Sequence, residues 1–374
     1  MKNRLLQVIG LTTLFLLGSC AFIDDFSGGK TDDLELKFVD EFVIPDDTMF
    51  QNTLIGGLSG IDYALGTWYL IADDPNNARF YNATISYDMD GFIDISINGV
   101  NELLDNTGSS FGGGTVDPEA IRFDNGNLVW TSEGNINNGV DPFVRVANLT
   151  GAYVSGTNLP SRYQAFIGDA ARGPRQNGTF EGITLSYDKM GYWVTMELPL
   201  VEDGPAPTTQ DTDSPIRISY IDRASGNFGK EFAYELDPVV RPAANGSTFE
   251  LNGVVELLQY DEEKFLFLER SFSTGYDYGG NNVKIYDVDI SDATDVSGVE
   301  ALVNADFTVA SKKLLFDFET IRNQLTEGVV DNIEGITFGP DFPNGNKSVV
   351  LVADNNFSAF GPQLNQFVLF ELLD

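Results

Sequence analysis

Histidine is absent from all 374 residues, and there is a single cysteine. The first absence excludes Ser-His-Asp and Cys-His nucleophilic centres, histidine phosphatase chemistry and His-ligated zinc. The second leaves the folded part without disulfides. Basic residues are also scarce: 22 Lys and Arg stand against 56 Asp and Glu, a formal charge of −34. Such a surface repels a phosphate backbone, so nucleic acid is excluded as a partner. A bare anionic substrate would need a bound cation to reverse the local field. Convincing long amphipathic helices are missing as well. Chemistry must therefore run on carboxylates, hydroxyls, Arg, Lys and hard metal ions.

The cysteine closes the stretch MKNRLLQVIGLTTLFLLGSC (1–20). Lys2 and Arg4 give a basic start, Leu5 to Leu17 an apolar run, and Leu17-Gly18-Ser19-Cys20 a lipobox. The run is too short and too interrupted by Gln7, Thr12 and Thr13 to span a membrane comfortably. The spacing predicts a lipoprotein signal peptide over 1–19 and lipidation at Cys20, followed by a flexible Gly-containing tether to residue 33. The expected location is the bacterial cell envelope. Ala21 after the cysteine points to outer-membrane sorting, with membrane contact through the lipid anchor only. The folded domain is expected over 34–374, as a monomer.

Within that domain one hairpin recurs five times: LSGIDYALGTWYLIADD (58–74), PEAIRFDNGNLVWTSEG (118–134), FEGITLSYDKMGYWVTMEL (180–198), LNGVVELLQYDEEKFLFLER (251–270) and IEGITFGPDFPNGNKSVVLVADN (333–355). The template position is Ser59, Glu119, Glu181, Asn252 and Glu334, at separations of 60, 62, 71 and 82 residues. Further alternating stretches follow, such as 78–88 and 91–97, 215–223 and 229–236, and 282–290 and 311–319. Four strands per repeat is the composition of a propeller blade. The last repeat lacks a fourth strand, which LELKFVDEFVI (34–44) could supply, closing the ring without an open edge. The expectation is an all-β propeller of four-stranded blades. Five repeats are visible, and six are possible if an insertion hides one.

A hairpin returns the chain to the face it left. The start of strand one and the end of strand two therefore meet, and the sequence predicts a ring of carboxylates at one mouth. The expected metal ligands are Asp73, Glu119, Glu133, Glu181, Glu197, Glu269, Glu334 and Asp354. Two unit charges ~6 Å apart at an effective dielectric of about 20 repel by roughly 3 kcal/mol, so several bare ionised pairs cannot coexist. Either some carboxyls are protonated or cations sit among them. Oxygen-only ligands point to Ca²⁺ ahead of Mg²⁺. Arg270, next to Glu269, is the cation placed for a grip on phosphate, with Arg79 and Arg122 behind it. The competing structural account has the Glu-Gly carboxylates accepting backbone N–H groups from the next blade.

The motifs GLSGIDY (57–63), DPEAIRF (117–123), TFEGITLS (179–186), FLFLERSF (265–272), DNIEGITFGPDF (331–342) and VVLVADNNFS (349–358) resemble the phytase-like family with proposed esterase activity. The likeness covers roughly residues 50 to 374. It implies a propeller-like β fold and acidic residues suspected of phosphoester hydrolysis. The matching positions are Asp73, Glu119, Glu133, Glu181, Glu269, Arg270, Asn332, Glu334, Asp354, Asn355 and Asn356.

The leading expectation is a surface-anchored, calcium-dependent hydrolase of small phosphorylated or ester substrates. Glu119, Glu181, Glu334 and Arg270 would be catalytic, and Arg270, Arg79, Asn355 and Asn356 would bind substrate. A calcium-dependent lactonase or carboxylic esterase, and a non-catalytic binding propeller, are the alternatives.

Overall fold

In the computed structural model the described residues are 34–168, 172–276, 279–359 and 361–373. The expected signal peptide (1–19), Cys20 and the tether (20–33) lie outside them. Five four-stranded antiparallel sheets form the blades. Blade I comprises Leu58–Ala64, Thr67–Ala72, Arg79–Asp88 and Gly91–Glu102, and blade II Pro118–Asp124, Asn127–Ser132, Phe143–Asn148 and Tyr153–Gly156. Blade III comprises Phe180–Leu185, Gly191–Met196, Pro215–Asp222 and Phe228–Glu235, and blade IV Glu250–Asp261, Lys264–Ser273, Asn281–Asp289 and Ser311–Asp317. Blade V takes Ile333–Phe338, Lys347–Ala353 and Asn365–Leu373, with Glu35–Ile44 as its outer strand.

The first strands of successive blades touch in the cycle I–II–III–IV–V–I, so the molecule is a five-bladed β-propeller. Glu35–Ile44 runs antiparallel to Asn365–Leu373, with Phe38 opposite Phe370, and closes the last blade as expected. Among the described residues helix is confined to short 3₁₀ turns such as Phe318–Thr320.

Aromatic side chains fill the spaces between blades. Trp193 and Phe232 of blade III meet Phe265 of blade IV, with ring centroids 5.9 and 6.0 Å away. Phe316 of blade IV meets Phe370 of blade V at 4.7 Å. Each fully buried ring contributes about 1.5–3 kcal/mol from the area it removes from water.

The recurring Gly is a packing requirement. A Cβ on Gly60 would sit 2.7 Å from the Glu119 carbonyl oxygen of the next blade, and one on Gly182 would sit 2.6 Å from Glu256 Oε1. Only a residue without a side chain lets neighbouring inner strands approach so closely. A β-bulge also falls at the template in blades I, II, III and V, where the register slips between Leu58 and Gly60, Pro118 and Ile121, Phe180 and Ile183, and Ile333 and Gly335. A bulge re-aims a side chain. In blade IV the slip falls later, between Val254 and Glu256.

The channel is plugged. Arg122 of blade II is 2% exposed and donates to the carbonyls of Ile61 (2.5 Å) and Ile336 (3.0 Å). It also pairs with Glu256 at 2.8 Å, and Glu256 Oε1 accepts the Ile183 N–H at 2.7 Å. One guanidinium and one carboxylate thus tie all five inner strands together. Arg122 is a structural bolt, unavailable to ligand.

Candidate functional site

A cavity of about 890 Å³ opens at the end of the ring where first strands begin and second strands end. Asp73, Glu119, Glu181, Glu334, Asp354 and Arg270 line it, contributed by all five blades. Glu133 and Glu197 lie behind them at 2% and 0% exposure.

Two groups of acids within this set could each hold a metal ion. One is Asp73, Asp117 and Glu119, and the other is Glu119, Glu133 and Glu181. In each, one ligand oxygen per residue lies within 4.8 Å of the others. Asp117 was missed in the sequence because it stands one residue before the strand, outside the repeated template. Its motif, DPEAIRF, was visible.

Glu133 shows both of the roles weighed for such a residue. Its Oε1 accepts the Thr179 N–H of blade III, which braces the ring, while its Oε2 is buried without a partner. A buried carboxylate oxygen with no donor is costly unless a cation or proton meets it. Asp73 Oδ1 and Glu197 Oε2 are also buried and unpartnered. All-oxygen donors, no His or Cys, and unpartnered oxygens suit a hard divalent cation.

Electrostatics point the same way. Burial, reinforced by neighbouring acids, pushes the carboxyls of Asp73, Glu119, Glu133, Glu181 and Asp354 well above the usual carboxylate range. Burial also raises Asp117, against a side-chain hydrogen bond with Asp73 that lowers it. Glu197 is pushed up to about 7 by burial, against the lowering effect of Arg270. Glu334 is raised by burial too, while Arg270 and Asn332 hold it down. Arg270 Nη2 donates to Glu334 Oε1 at 2.9 Å and to Glu197 Oε1 at 3.3 Å, leaving its Nε without a partner. Asn332 Nδ2 donates to the same Glu334 oxygen at 2.9 Å. Carboxyls raised in this way favour a bound proton or a compensating cation.

Three residues expected at the mouth are engaged elsewhere. Glu269 precedes Arg270 in one strand, and strand alternation turns the two to opposite faces. Glu269 accepts from Lys312 Nζ (2.8 Å), Asn252 Nδ2 (2.8 Å) and the Tyr234 hydroxyl, so its charge is compensated without a metal. Arg79 has all three nitrogens committed, to Asp74, Tyr81 and the carbonyls of Asn77 and Leu54, and is 2% exposed. Asn355 Oδ1 accepts the N–H groups of Gly57 and Phe357, a joint between blades V and I. Asn356 does line the cavity, and its N–H caps Asp354 at 2.7 Å. Ser59 plays the bracing part in full, donating to the Glu119 carbonyl at 2.7 Å.

Fold and site together define a five-bladed propeller with an acid-lined mouth. The chain belongs to the phytase-like family, described by the esterase-like activity of phytase, whose model matches residues 53–357. It is thus a propeller of a hydrolase family. No curated protein matches it. Similar solved structures include a thermostable family-43 glycoside hydrolase, at 11% identity and TM-score 0.44, covering 86% of this chain and 90% of that one. The major allergen Mala s 1 of Malassezia sympodialis is similar at 11% identity and TM-score 0.42, covering 85% and 93%. A bifunctional GH43-CE protein of Bacteroides eggerthii is similar at 10% identity and TM-score 0.40; 80% of this chain is covered, but only 31% of that protein's length. Likeness at this level says nothing of activity.

Proposed function

We propose that the protein is a calcium-dependent phosphoester hydrolase working at the acidic mouth. The observation that carries this reading is the gathering of carboxylates at the mouth, of which only Glu197 and Glu334 pair with the Arg270 guanidinium, with the Glu133 and Asp73 oxygens left unpartnered. Asp73, Asp117, Glu119, Glu133 and Glu181 would hold the metal, which would polarise the ester and its attacking water.

The remaining residues have their own tasks. Arg270 faces the cavity and would meet charge developing on a phosphoryl oxygen. Glu334, with one oxygen fixed by Asn332 and Arg270, would act as general base. In the step itself, water oxygen bonds to phosphorus while the ester P–O bond breaks. The water's proton passes to Glu334, and the departing alcohol oxygen takes up a proton from a protonated mouth acid or solvent.

The test is turnover of phosphomonoester, phosphodiester and lactone panels with calcium and with chelator, alongside calorimetric calcium binding. Calcium-dependent phosphoester turnover is expected. Absence of both calcium binding and turnover would overturn the reading. We further propose that Cys20 carries the lipid that anchors the protein at the outer membrane. A Cys20→Ser variant that still partitions into membranes would refute this.

A further inference from the structure

We propose that the substrate is a singly charged phosphodiester whose second arm is apolar, lodged against a wall made by blades IV and V. This rests on the phosphoester reading above and narrows it. The cavity has two unlike sides. Most of the acids, Asp73, Glu119, Glu181, Glu334 and Asp354, stand in or just after the first and second strands of blades I, II, III and V, while Glu327 and Asp331 come from the loop that also carries Val329. Facing loops and strand ends supply Phe249, Leu251, Phe272, Val329 and Pro362. Phe249 is 56% exposed although it precedes a strand, and its ring lies 6.1 Å from that of Phe272. An exposed Phe249 backed by a half-buried Phe272 on a concave surface beside convergent polar groups is the composition of a ligand pocket.

Charge limits what can occupy the other side. Among the described lining residues Arg270 is the one cation, and Glu197 and Glu334 already share it. A polyphosphorylated ligand would bring several negative charges to a mouth whose described lining offers no free guanidinium or ammonium to meet them. A monoanionic diester needs only the metal and Arg270, and its apolar arm gains the area buried on the wall.

The two p-nitrophenyl diesters share a leaving group, so intrinsic reactivity does not decide between them. The full chain with calcium is given p-nitrophenyl benzyl phosphate, p-nitrophenyl methyl phosphate, p-nitrophenyl phosphate and inositol hexakisphosphate. Calorimetry measures binding of benzyl methylphosphonate, which has no ester bond at the position attacked. The benzyl diester is expected to exceed the methyl diester and the monoester by about tenfold in kcat/KM. Phe249→Ala and Phe272→Ala should each erase most of that preference, and Phe249→Leu should keep part of it. Equal rates for benzyl and methyl diesters, or faster release of phosphate from inositol hexakisphosphate, would overturn the inference while leaving phosphoester hydrolysis standing. Phosphonate binding that depends on Phe249, without turnover of any ester, would instead remove the hydrolase reading and keep the recognition of an apolar arm.

Discussion

Two buried charged clusters in this molecule obey opposite rules. Beside blade III, Arg217 is gripped by Asp203 at 2.7 and 2.9 Å and by Glu231 at 3.0 Å. Glu231 also receives Arg162 at 3.1 Å and the Tyr163 hydroxyl at 3.0 Å. Two guanidinia meet two carboxylates, and carbonyls such as Val299 O take up remaining donors. At the mouth, one guanidinium pairs with only Glu197 and Glu334 of the gathered carboxylates, and several oxygens have no donor. Burial alone therefore does not mark a functional site here. The mark is burial without compensation, because a fold gains nothing from crowding like charges.

The largest effect should come from breaking the compensated cluster. Arg217→Met leaves Asp203 and Glu231 without their shared cation in the interior. It should cost about 3–5 kcal/mol by chemical denaturation, with or without calcium. A loss under 1 kcal/mol would mean the cluster is less tightly built than its distances say. At the mouth the same kind of change should act in reverse. Glu133→Gln or Glu181→Gln removes a repelling charge, so melting of the chelated protein should hold or rise. Calcium affinity should fall by about 10–100-fold. Destabilisation of the chelated form would instead mean that bracing contacts, such as that of Glu133 with the Thr179 N–H, outweigh the repulsion.

Titration gives a third and smaller contrast. Glu197 sits near 7 in the fold, against an unfolded value near 4.5. A carboxyl raised on folding contributes stability that is fully present below the unfolded value and is lost as pH climbs through the folded one. The other mouth acids are shifted in the same direction. The chelated protein should therefore melt at lower temperature as pH rises from about 5 to about 8, and calcium should flatten the slope. A melting temperature that climbs with pH across that window in chelator would contradict the uncompensated mouth.

Much of this was legible in the sequence because it is local. The x-Gly/Ala-Ile/Val template, with Gly in four copies and Ala120 in blade II, exposed five hairpins, since the inner strands need a small residue where they approach. The N-terminal strand could be assigned to blade V because one blade was a strand short. Other features depend on partners far along the chain. Arg79 is occupied by Leu54 and Tyr81 through a turn that no period announces. Glu269 and Arg270 looked equivalent as neighbours, yet alternation sends them to different faces, and Lys312 settles the fate of Glu269. Asn252 departs from the template, and the blade IV bulge shifts with it. The apolar wall lies in loops and strand ends, where hydrophobic periodicity has nothing to report.

The smallest prediction separates fold from mouth. The blade I hairpin turns on Leu65-Gly66 and the blade II hairpin on Asn125-Gly126, and φ is positive at all four residues, at 51°, 83°, 51° and 81°. Two successive positive φ values make the tight turn that suits the twist of a hairpin, and Asn enters that conformation far more readily than Leu. Leu65 is also 88% exposed, so it has little packing to lose. Leu65→Asn should stabilise the protein by about 0.5–1 kcal/mol. Because the turn lies at the opposite end of the inner hairpin from Asp73, calcium affinity should not change. A stabilised variant with altered calcium binding would show that the mouth reports on the whole ring, and the contrast between compensated and uncompensated clusters would lose its local meaning.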